Sequence, residues 1–192
     1  MRLRLASAAA VLLTFALVSL LPLSHPVVAQ VNSNDNRISI MDNCLPGDPG
    51  WTPTGGCSLA PHQGEVSAAE FGAFIPSTLI SAFVGHPSWR NEPSYLSVDR
   101  GKTIRVTNTG GRGHTFTRVA EFGGGSVAGF NIGATRAPEC PATPPEVKDA
   151  IPPGGSIEIQ GLAPNPTTPP SQASYKFQCC FHPWMRAAIK VE

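Results

Sequence analysis

Cysteine, histidine and methionine recur at intervals of three residues near the end of the chain, in the stretch QCCFHPWM. The three residues are Cys179, His182 and Met185, and they follow a segment that alternates like a β-strand. A thiolate, an imidazole and a thioether form a soft donor set, which selects copper over magnesium, calcium or manganese. The spacing therefore predicts a copper site in a tight loop between two strands.

A second imidazole is needed to complete a trigonal plane of two histidines and one cysteine, with a methionine at a longer axial distance. His114 is our candidate, because it follows the glycine-rich stretch NTGGRG, which can bring its ring beside the C-terminal loop. We interpret His86 and His62, which has no companion donor, as surface or loop-packing residues. The predicted ligands are His114, Cys179, His182 and Met185.

The neighbouring cysteines Cys179 and Cys180 are expected to have different roles. Side chains alternate along a strand, so Cys179 shares the core-facing side of Tyr175 and Phe177, and Cys180 faces away. The chain has five cysteines, and in an oxidising compartment two disulfides leave one thiol. We interpret that thiol as a metal ligand, with an intermolecular disulfide as the alternative.

Short strands joined by irregular loops are expected to position these residues. The chain contains 19 glycines and 20 prolines, and no long stretch after the N-terminal segment has helical apolar spacing. The pattern predicts an all-β sandwich or barrel. The predicted strands cover residues 37–41, 78–84, 94–98, 103–108, 114–119, the segment around Ile157 and Ile159, 174–179 and 187–192.

The first 29 residues have the pattern of a secretory signal peptide. Arg2 and Arg4 precede an apolar run, and small residues lead to a cleavage site after Ala29. A retained membrane anchor is the alternative, because the run approaches the length of a membrane span. The pattern predicts a secreted or periplasmic protein with no membrane span after cleavage.

The remaining chain is expected to have two parts. Residues 30–77 form a loop-rich N-terminal extension, and residues 78–192 form the copper-binding domain with a long inserted loop at 120–153.

The whole chain carries a net charge of +1. Removal of Arg2 and Arg4 leaves 12 basic and 13 acidic residues, which gives no electrostatic reason to expect a nucleic acid or an anionic membrane as partner. We expect a monomer.

At these motifs the sequence resembles the cupredoxins, the small blue copper proteins. The stretch NTGGRGH resembles the segment that ends in their first histidine ligand, and YKFQCCFHPWMR resembles the ligand loop of amicyanin and pseudoazurin. The stretches PPGGSIEI and LSVDRGKTIRVTN are similar to framework segments, so the resemblance covers about residues 78–192. It implies a Greek-key β-sandwich that binds one type 1 copper ion. It also implies that the protein carries electrons and is not an enzyme.

The resemblance also implies where electrons leave, and the reserved Cys179 limits how the other cysteines pair. The exposed edge of His182, beside Trp184, would be the exit and the docking place of a redox partner protein. With Cys179 reserved for the metal, the other cysteines allow three connectivities. The short loop favours Cys44 with Cys57, which leaves Cys140 with Cys180 and clamps the inserted loop to the ligand loop.

One departure from the family pattern affects the site. Thr115 follows the first histidine, where many members have an asparagine that ties the two ligand segments together. A hydroxyl makes fewer such bonds, which affects the reduction potential.

Three other hypotheses compete with a copper electron carrier. The first is a zinc site, because zinc accepts sulfur and nitrogen ligands, although a thioether ligand is unusual for it. A copper module for storage, delivery or sensing would explain the long loop and the N-terminal extension. A copper enzyme needs an open coordination position, which Met185 fills. The remaining alternative is that Cys179, His182 and Met185 are ordinary core residues.

Overall fold

Two four-stranded β-sheets pack face to face in the computed structural model, which describes residues 36–75, 84–131, 133–163 and 174–192. The eight strands are β1 (Arg37–Met41), β2 (Arg90–Glu92), β3 (Tyr95–Val98), β4 (Ile104–Asn108), β5 (Thr117–Val119), β6 (Ser156–Ile159), β7 (Ser174–Gln178) and β8 (Arg186–Val191). The predicted all-β sandwich is therefore confirmed.

The first sheet has the strand order β2-β1-β4-β6. Strand β1 is parallel to β4 and antiparallel to β2, and β4 is antiparallel to β6. The inward side chains of β1 and β4 are almost fully buried, as the alternation of apolar residues in both strands predicts. Segment 37–41, predicted to lie in an extension, thus supplies a central strand of the sandwich.

The second sheet has the order β3-β8-β7-β5, with β7 and β8 forming an antiparallel hairpin. Leu96, Phe177 and Ile189 point from this sheet into the same core as Ile40 and Val106 of the first sheet. Burial of one such side chain contributes about 1.5–3 kcal/mol to folding. The hairpin pairs Gln178 with Arg186, so the predicted ligand loop lies between its two strands.

The structure differs from the sequence-based prediction in three segments. Strand β5 is shorter than predicted, because His114 leaves the sheet and forms an isolated bridge with Ile151. Strand β2 was not predicted, since it lies in a proline-containing loop. The inserted loop, predicted as a loop, holds two 3-10 turns, Ala128–Phe130 and Pro144–Glu146.

Helix α1 (Ala68–Phe74) also lies where only loop was predicted. The Ser67 hydroxyl caps it by accepting the Glu70 N–H at 3.1 Å. Its Phe71 ring packs against Trp51, from the 3-10 turn Pro49–Thr54, at a centroid distance of 5.4 Å. Packing on these aromatic residues compensates for a length of seven residues, which is too short for a stable isolated helix.

Two predicted elements lie largely outside the described residues. These are the signal peptide at 1–29 and the strand at 78–84, of which only Val84 is described, as an exposed residue. Within the described ranges, no helix is long and apolar enough to cross a membrane.

The disulfides pair Cys44 with Cys57 and Cys140 with Cys180, as predicted, and Cys179 is free. Cys180 and Cys140 belong to a small buried cluster with Val119, separate from the main core that contains Cys179. The two neighbouring cysteines therefore face opposite sides of the second sheet.

Candidate metal centre

Three of the four predicted ligands meet at one buried point. The Cys179 sulfur lies 3.7 Å from His114 Nδ1 and 3.8 Å from His182 Nδ1, and all three donor atoms lie within 4.8 Å of one another. Metal–nitrogen and metal–sulfur bonds of about 2.0 and 2.3 Å, as zinc makes, set at about 120° in a trigonal plane, separate nitrogen from sulfur by about 3.7 Å. The donor spacing thus fits a small metal ion.

The ligand loop is closed by its own backbone. The Cys179 N–H donates to the Met185 carbonyl at 3.0 Å, and the Met185 N–H donates to the His182 carbonyl at 2.9 Å. These bonds curl the chain so that Cys179 and His182 face each other within three residues of sequence. Met185 is fully buried at the end of this loop.

His114 is positioned by backbone bonds to a distant segment. Its N–H donates to the Ile151 carbonyl at 3.1 Å, and its carbonyl accepts the Ile151 N–H at 2.6 Å. The Asn108 amide, at the end of β4, donates to the carbonyls of Arg112 at 2.6 Å and Ile151 at 2.9 Å. Asn108 therefore ties to the end of β4 both the glycine-rich connection and the Ile151 segment that bonds to His114.

Glycine is required in this connection because other groups lie against it. A Cβ atom on Gly110 would lie 2.1 Å from a carboxylate oxygen of Asp42, and one on Gly111 would lie 2.6 Å from the Cys44 sulfur. Both contacts are too close for any side chain. The NTGGRG motif thus allows Asp42 and Cys44, which follow β1, to pack against the connection that leads to His114.

Thr115 ties the two ligand segments together. Its hydroxyl accepts the Cys180 N–H at 2.8 Å, and its own N–H points at the Cys179 sulfur at 3.4 Å. The Thr117 hydroxyl in turn donates to the Thr115 hydroxyl at 3.0 Å. The threonine that departs from the family pattern therefore still joins the two ligand segments.

Asp42 is a residue of the site that the sequence did not reveal. Its Oδ2 lies 2.8 Å from His114 Nε2, on the side of the ring opposite Cys179, and both side chains are fully buried. The two residues are 72 positions apart. The only sequence signal near Asp42 is its place between a predicted strand and Cys44, which indicates no relation to His114.

Burial and charge set the protonation of the ligands. Burial lowers the pKa of His114, but its hydrogen bonds to Asp42 and Cys179 raise it to about 9. Burial raises the pKa of the Cys179 thiol, but His114 and His182 bring it well below 9.0. Burial lowers the pKa of His182. The metal-free site therefore holds a thiolate, a neutral His182 and a protonated His114, which must release its Nδ1 proton when a metal binds.

Aromatic side chains surround the edge of His182. The Phe130 ring is stacked on it at a centroid distance of 6.0 Å, while Trp184 at 5.5 Å and Phe71 at 6.2 Å meet it edge to face. His182 is 8% exposed, whereas the other three predicted ligands are fully buried. Helix α1 and the inserted loop thus cover the edge that the family resemblance implied to be exposed.

The other described histidines lie apart from the donor cluster. His86 is buried among Phe71, Phe74 and Trp89, and its Nδ1 accepts the Ser88 N–H at 3.2 Å. His62 is exposed. Both positions agree with packing or surface roles.

No protein-family model matches the chain, and a comparison with curated proteins finds no match. Among solved structures, it is similar to a purple cupredoxin from Nitrosopumilus maritimus, at 17% identity and a TM-score of 0.37, over 57% of this chain and 90% of that one. It is also similar to a reduced Cu(I) form of an amicyanin mutant, at 19% identity and a TM-score of 0.34, over 54% and 73%. A reduced state of another amicyanin mutant matches at 20% identity and a TM-score of 0.32, over 53% and 71%.

The assignment of the site depends on this chain's own residues, because similarities of this size carry no residue roles across.

Proposed function

We propose that the protein is a type 1 copper protein that carries single electrons, with copper held by His114, Cys179 and His182 and more weakly by Met185. The convergence of two imidazole nitrogens and one free thiolate within 4.8 Å carries this proposal. Both disulfides leave Cys179 as the unpaired cysteine, and burial protects it from solvent.

The donor set fits copper better than its competitors. Imidazole and thiolate ligands disfavour magnesium, calcium and manganese, which prefer oxygen. The buried Met185 adds a thioether, which is unusual around zinc. When bound, copper would supply a one-electron couple between Cu(I) and Cu(II). The rigid ligands suit that couple, since a fixed geometry needs little rearrangement when the charge changes.

The chain fixes each ligand by contacts outside the donor cluster. His114 is held by Asp42 and by its backbone bridge to Ile151, and Cys179 is held by the loop bonds to Met185. The thiolate also faces the Thr115 N–H. These contacts do not depend on a metal, so the site is organised before copper binds.

His182 is the proposed exit for the electron. It is the only one of the four ligands with any exposure, and the half-buried Phe130 ring is stacked on it. A redox partner protein would dock over this aromatic surface, and the electron would cross the rings that cover the ligand. The proposed role is electron transfer and not catalysis.

Metal analysis with visible and paramagnetic resonance spectroscopy tests the proposal. The purified protein should bind one copper ion, show an intense charge-transfer band and have a small parallel hyperfine splitting. Cys179→Ser should abolish the band, whereas the double variant Cys140→Ser/Cys180→Ser should keep it. A colourless Cu(II) form of the wild type with ordinary tetragonal splitting would overturn the proposal.

The cover over His182 favours one second candidate, a module that stores, delivers or senses copper. A protein that exchanges electrons rapidly benefits from an open ligand edge, whereas Phe71 and Phe130 shield this one. Electron self-exchange discriminates between the two functions. Slow exchange together with very tight Cu(I) binding would favour storage or delivery, and fast exchange favours the carrier.

The proposed location is outside the cytoplasm, as a secreted or periplasmic protein. Two disulfides support an oxidising compartment. The predicted signal peptide gives a direct test, because the mature protein should begin at Gln30. An N-terminal sequence that starts at Met1 in the exported protein would contradict cleavage.

A further inference from the structure

We propose that Asp42 is a positioning residue for His114, which turns Nδ1 of the ring toward the metal and stabilises the oxidised state of the site. This inference rests on the proposed copper function. Asp42 follows directly after β1, and its Oδ2 lies 2.8 Å from His114 Nε2 with neither side chain exposed. It belongs to the segment that precedes the region of family resemblance.

Four nitrogen atoms lie within hydrogen-bond distance of the Asp42 carboxylate, and three of them are backbone N–H donors. Oδ1 accepts the N–H groups of Gly111 at 3.0 Å and Cys44 at 3.3 Å. Oδ2 accepts the Arg112 N–H at 3.0 Å and faces His114 Nε2. An ionised carboxylate only accepts hydrogen bonds, so Nε2 must carry a proton. In the neutral ring Nδ1 then keeps its lone pair, and it is the nitrogen that faces the Cys179 sulfur.

The carboxylate is itself held from several directions. Gly110 allows it to approach the backbone closely, and the disulfide at Cys44 fixes the chain two residues beyond it. The Arg112 guanidinium donates to the carbonyls of Gly56 at 2.7 Å and Thr54 at 2.8 Å. These bonds join the glycine-rich connection to the loop that ends at Cys57. The position of Asp42 relative to the ring is thus fixed by contacts that involve no metal.

A buried negative charge on the ligand should affect the two copper states unequally. A carboxylate that accepts the second ring proton makes the imidazole a stronger donor. The added charge attracts Cu(II) more than Cu(I), and this attraction is little screened in a dry interior. Asp42 should therefore lower the reduction potential. Its removal should change the Cu(I) to Cu(II) ratio at a given potential by at least tenfold, which is about 59 mV for a one-electron couple.

Asp42→Asn tests the inference, with Asp48→Asn as the matched control. Asparagine has nearly the same shape but no charge, and its amide N–H₂ must face N–H donors in either orientation. Asp48 lies in the same segment and also accepts two backbone N–H groups, from Gly50 at 2.9 Å and Ala68 at 2.7 Å. Its contacts do not include a proposed ligand.

In copper-loaded Asp42→Asn, the reduction potential should be higher than in the wild type by at least about 59 mV, the equivalent of a tenfold change in the Cu(I) to Cu(II) ratio. Asp48→Asn should have the wild-type potential. Equal potentials in Asp42→Asn and in a blue wild type would overturn this inference and leave the proposed function intact. A wild type without copper or colour would overturn both.

Nuclear magnetic resonance of the unmutated protein provides a second test if Asp42→Asn fails to fold. In the Cu(I) form, nitrogen-15 spectra should show the His114 proton on Nε2, in slow exchange with solvent. A proton in rapid exchange, or a ring without a proton on Nε2, would overturn the role of Asp42.

Discussion

Cys179 and Cys180 are adjacent in sequence but face opposite sides of the second sheet. The Cys179 sulfur lies 3.7 Å from His114 Nδ1 in the main core, whereas Cys180 is bonded to Cys140 under the inserted loop. The alternation of side chains at the end of β7 produces this separation. One sulfur is thereby free for a metal while its neighbour crosslinks the loop.

The two disulfides should differ in their contribution to stability. Chain-entropy arguments give about 4 kcal/mol for the 40-residue separation of Cys140 and Cys180, and about 3 kcal/mol for the 13-residue separation of Cys44 and Cys57. Urea unfolding of the two double serine variants, without copper, measures both losses. A smaller loss for Cys140→Ser/Cys180→Ser would show that the inserted loop is not held mainly by its disulfide.

Thr115→Val should destabilise the protein although the two side chains have similar shapes. The change leaves the buried Cys180 N–H without its acceptor, which costs about 1–3 kcal/mol. Thr115→Ser keeps the hydroxyl and serves as the control. Urea unfolding of the copper-free proteins measures the difference, and equal stability of the valine and serine variants would contradict this role of the hydroxyl.

The copper-free protein should have nearly constant stability between pH 6.5 and about 9. The pKa of His114 is raised from 6.5 to about 9, so its contribution is present below pH 6.5 and is lost as pH rises through about 9. The pKa of Cys179 is lowered from 9.0, so its contribution is present above pH 9.0 and is lost as pH falls. Where the folded protein keeps the Cys179 thiolate, each state holds one proton at these pH values, on His114 when folded and on the Cys179 thiol when unfolded.

Below pH 6.5 the free energy of unfolding should fall as the pH falls. The unfolded chain then protonates His114, and also His182, whose folded pKa is lowered by burial. Cys179→Ser removes the compensating thiol, while Asp42 still raises the pKa of His114, so the stability of this variant should decline as pH rises above 6.5. Urea unfolding at several pH values measures both profiles, and a wild-type profile that slopes steeply between pH 7 and 8.5 would contradict the ion pair.

Phe130→Ala should open the edge of His182 to solvent. The stacked ring at 6.0 Å is part of the cover, and its removal should speed electron exchange with small inorganic reagents several-fold. Tyr95→Ala removes an exposed aromatic residue of β3 and serves as the control. Stopped-flow oxidation of the Cu(I) proteins measures the rates. Equal rates for both variants would exclude His182 as the exit.

Met185→Leu should leave copper bound but raise its potential. Leucine has a similar volume, so the cost in stability is below about 1.5 kcal/mol, while the loss of the thioether weakens donation to Cu(II). Ile189→Leu in β8 is a buried control. Redox titration measures both variants, and an unchanged potential in Met185→Leu would remove Met185 from the ligand set.

Local patterns predicted the ligand strands and failed where distant segments meet. The alternation of Phe177 and Cys179 and the turn between β7 and β8 are properties of short stretches, so the hairpin and its loop could be predicted. Asp42 reaches His114 across 72 positions, through a parallel pairing of β1 with β4 that no local spacing encodes. Helix α1 forms mainly because Phe71 packs on Trp51, a contact that its seven residues do not reveal.

X-ray absorption at the copper edge tests the central claim most directly, because it identifies the atoms bound to the metal. The account predicts one short sulfur ligand and two imidazole nitrogens in the Cu(II) wild type, with the sulfur lost in Cys179→Ser. A wild-type spectrum with only nitrogen and oxygen neighbours would contradict the proposed site.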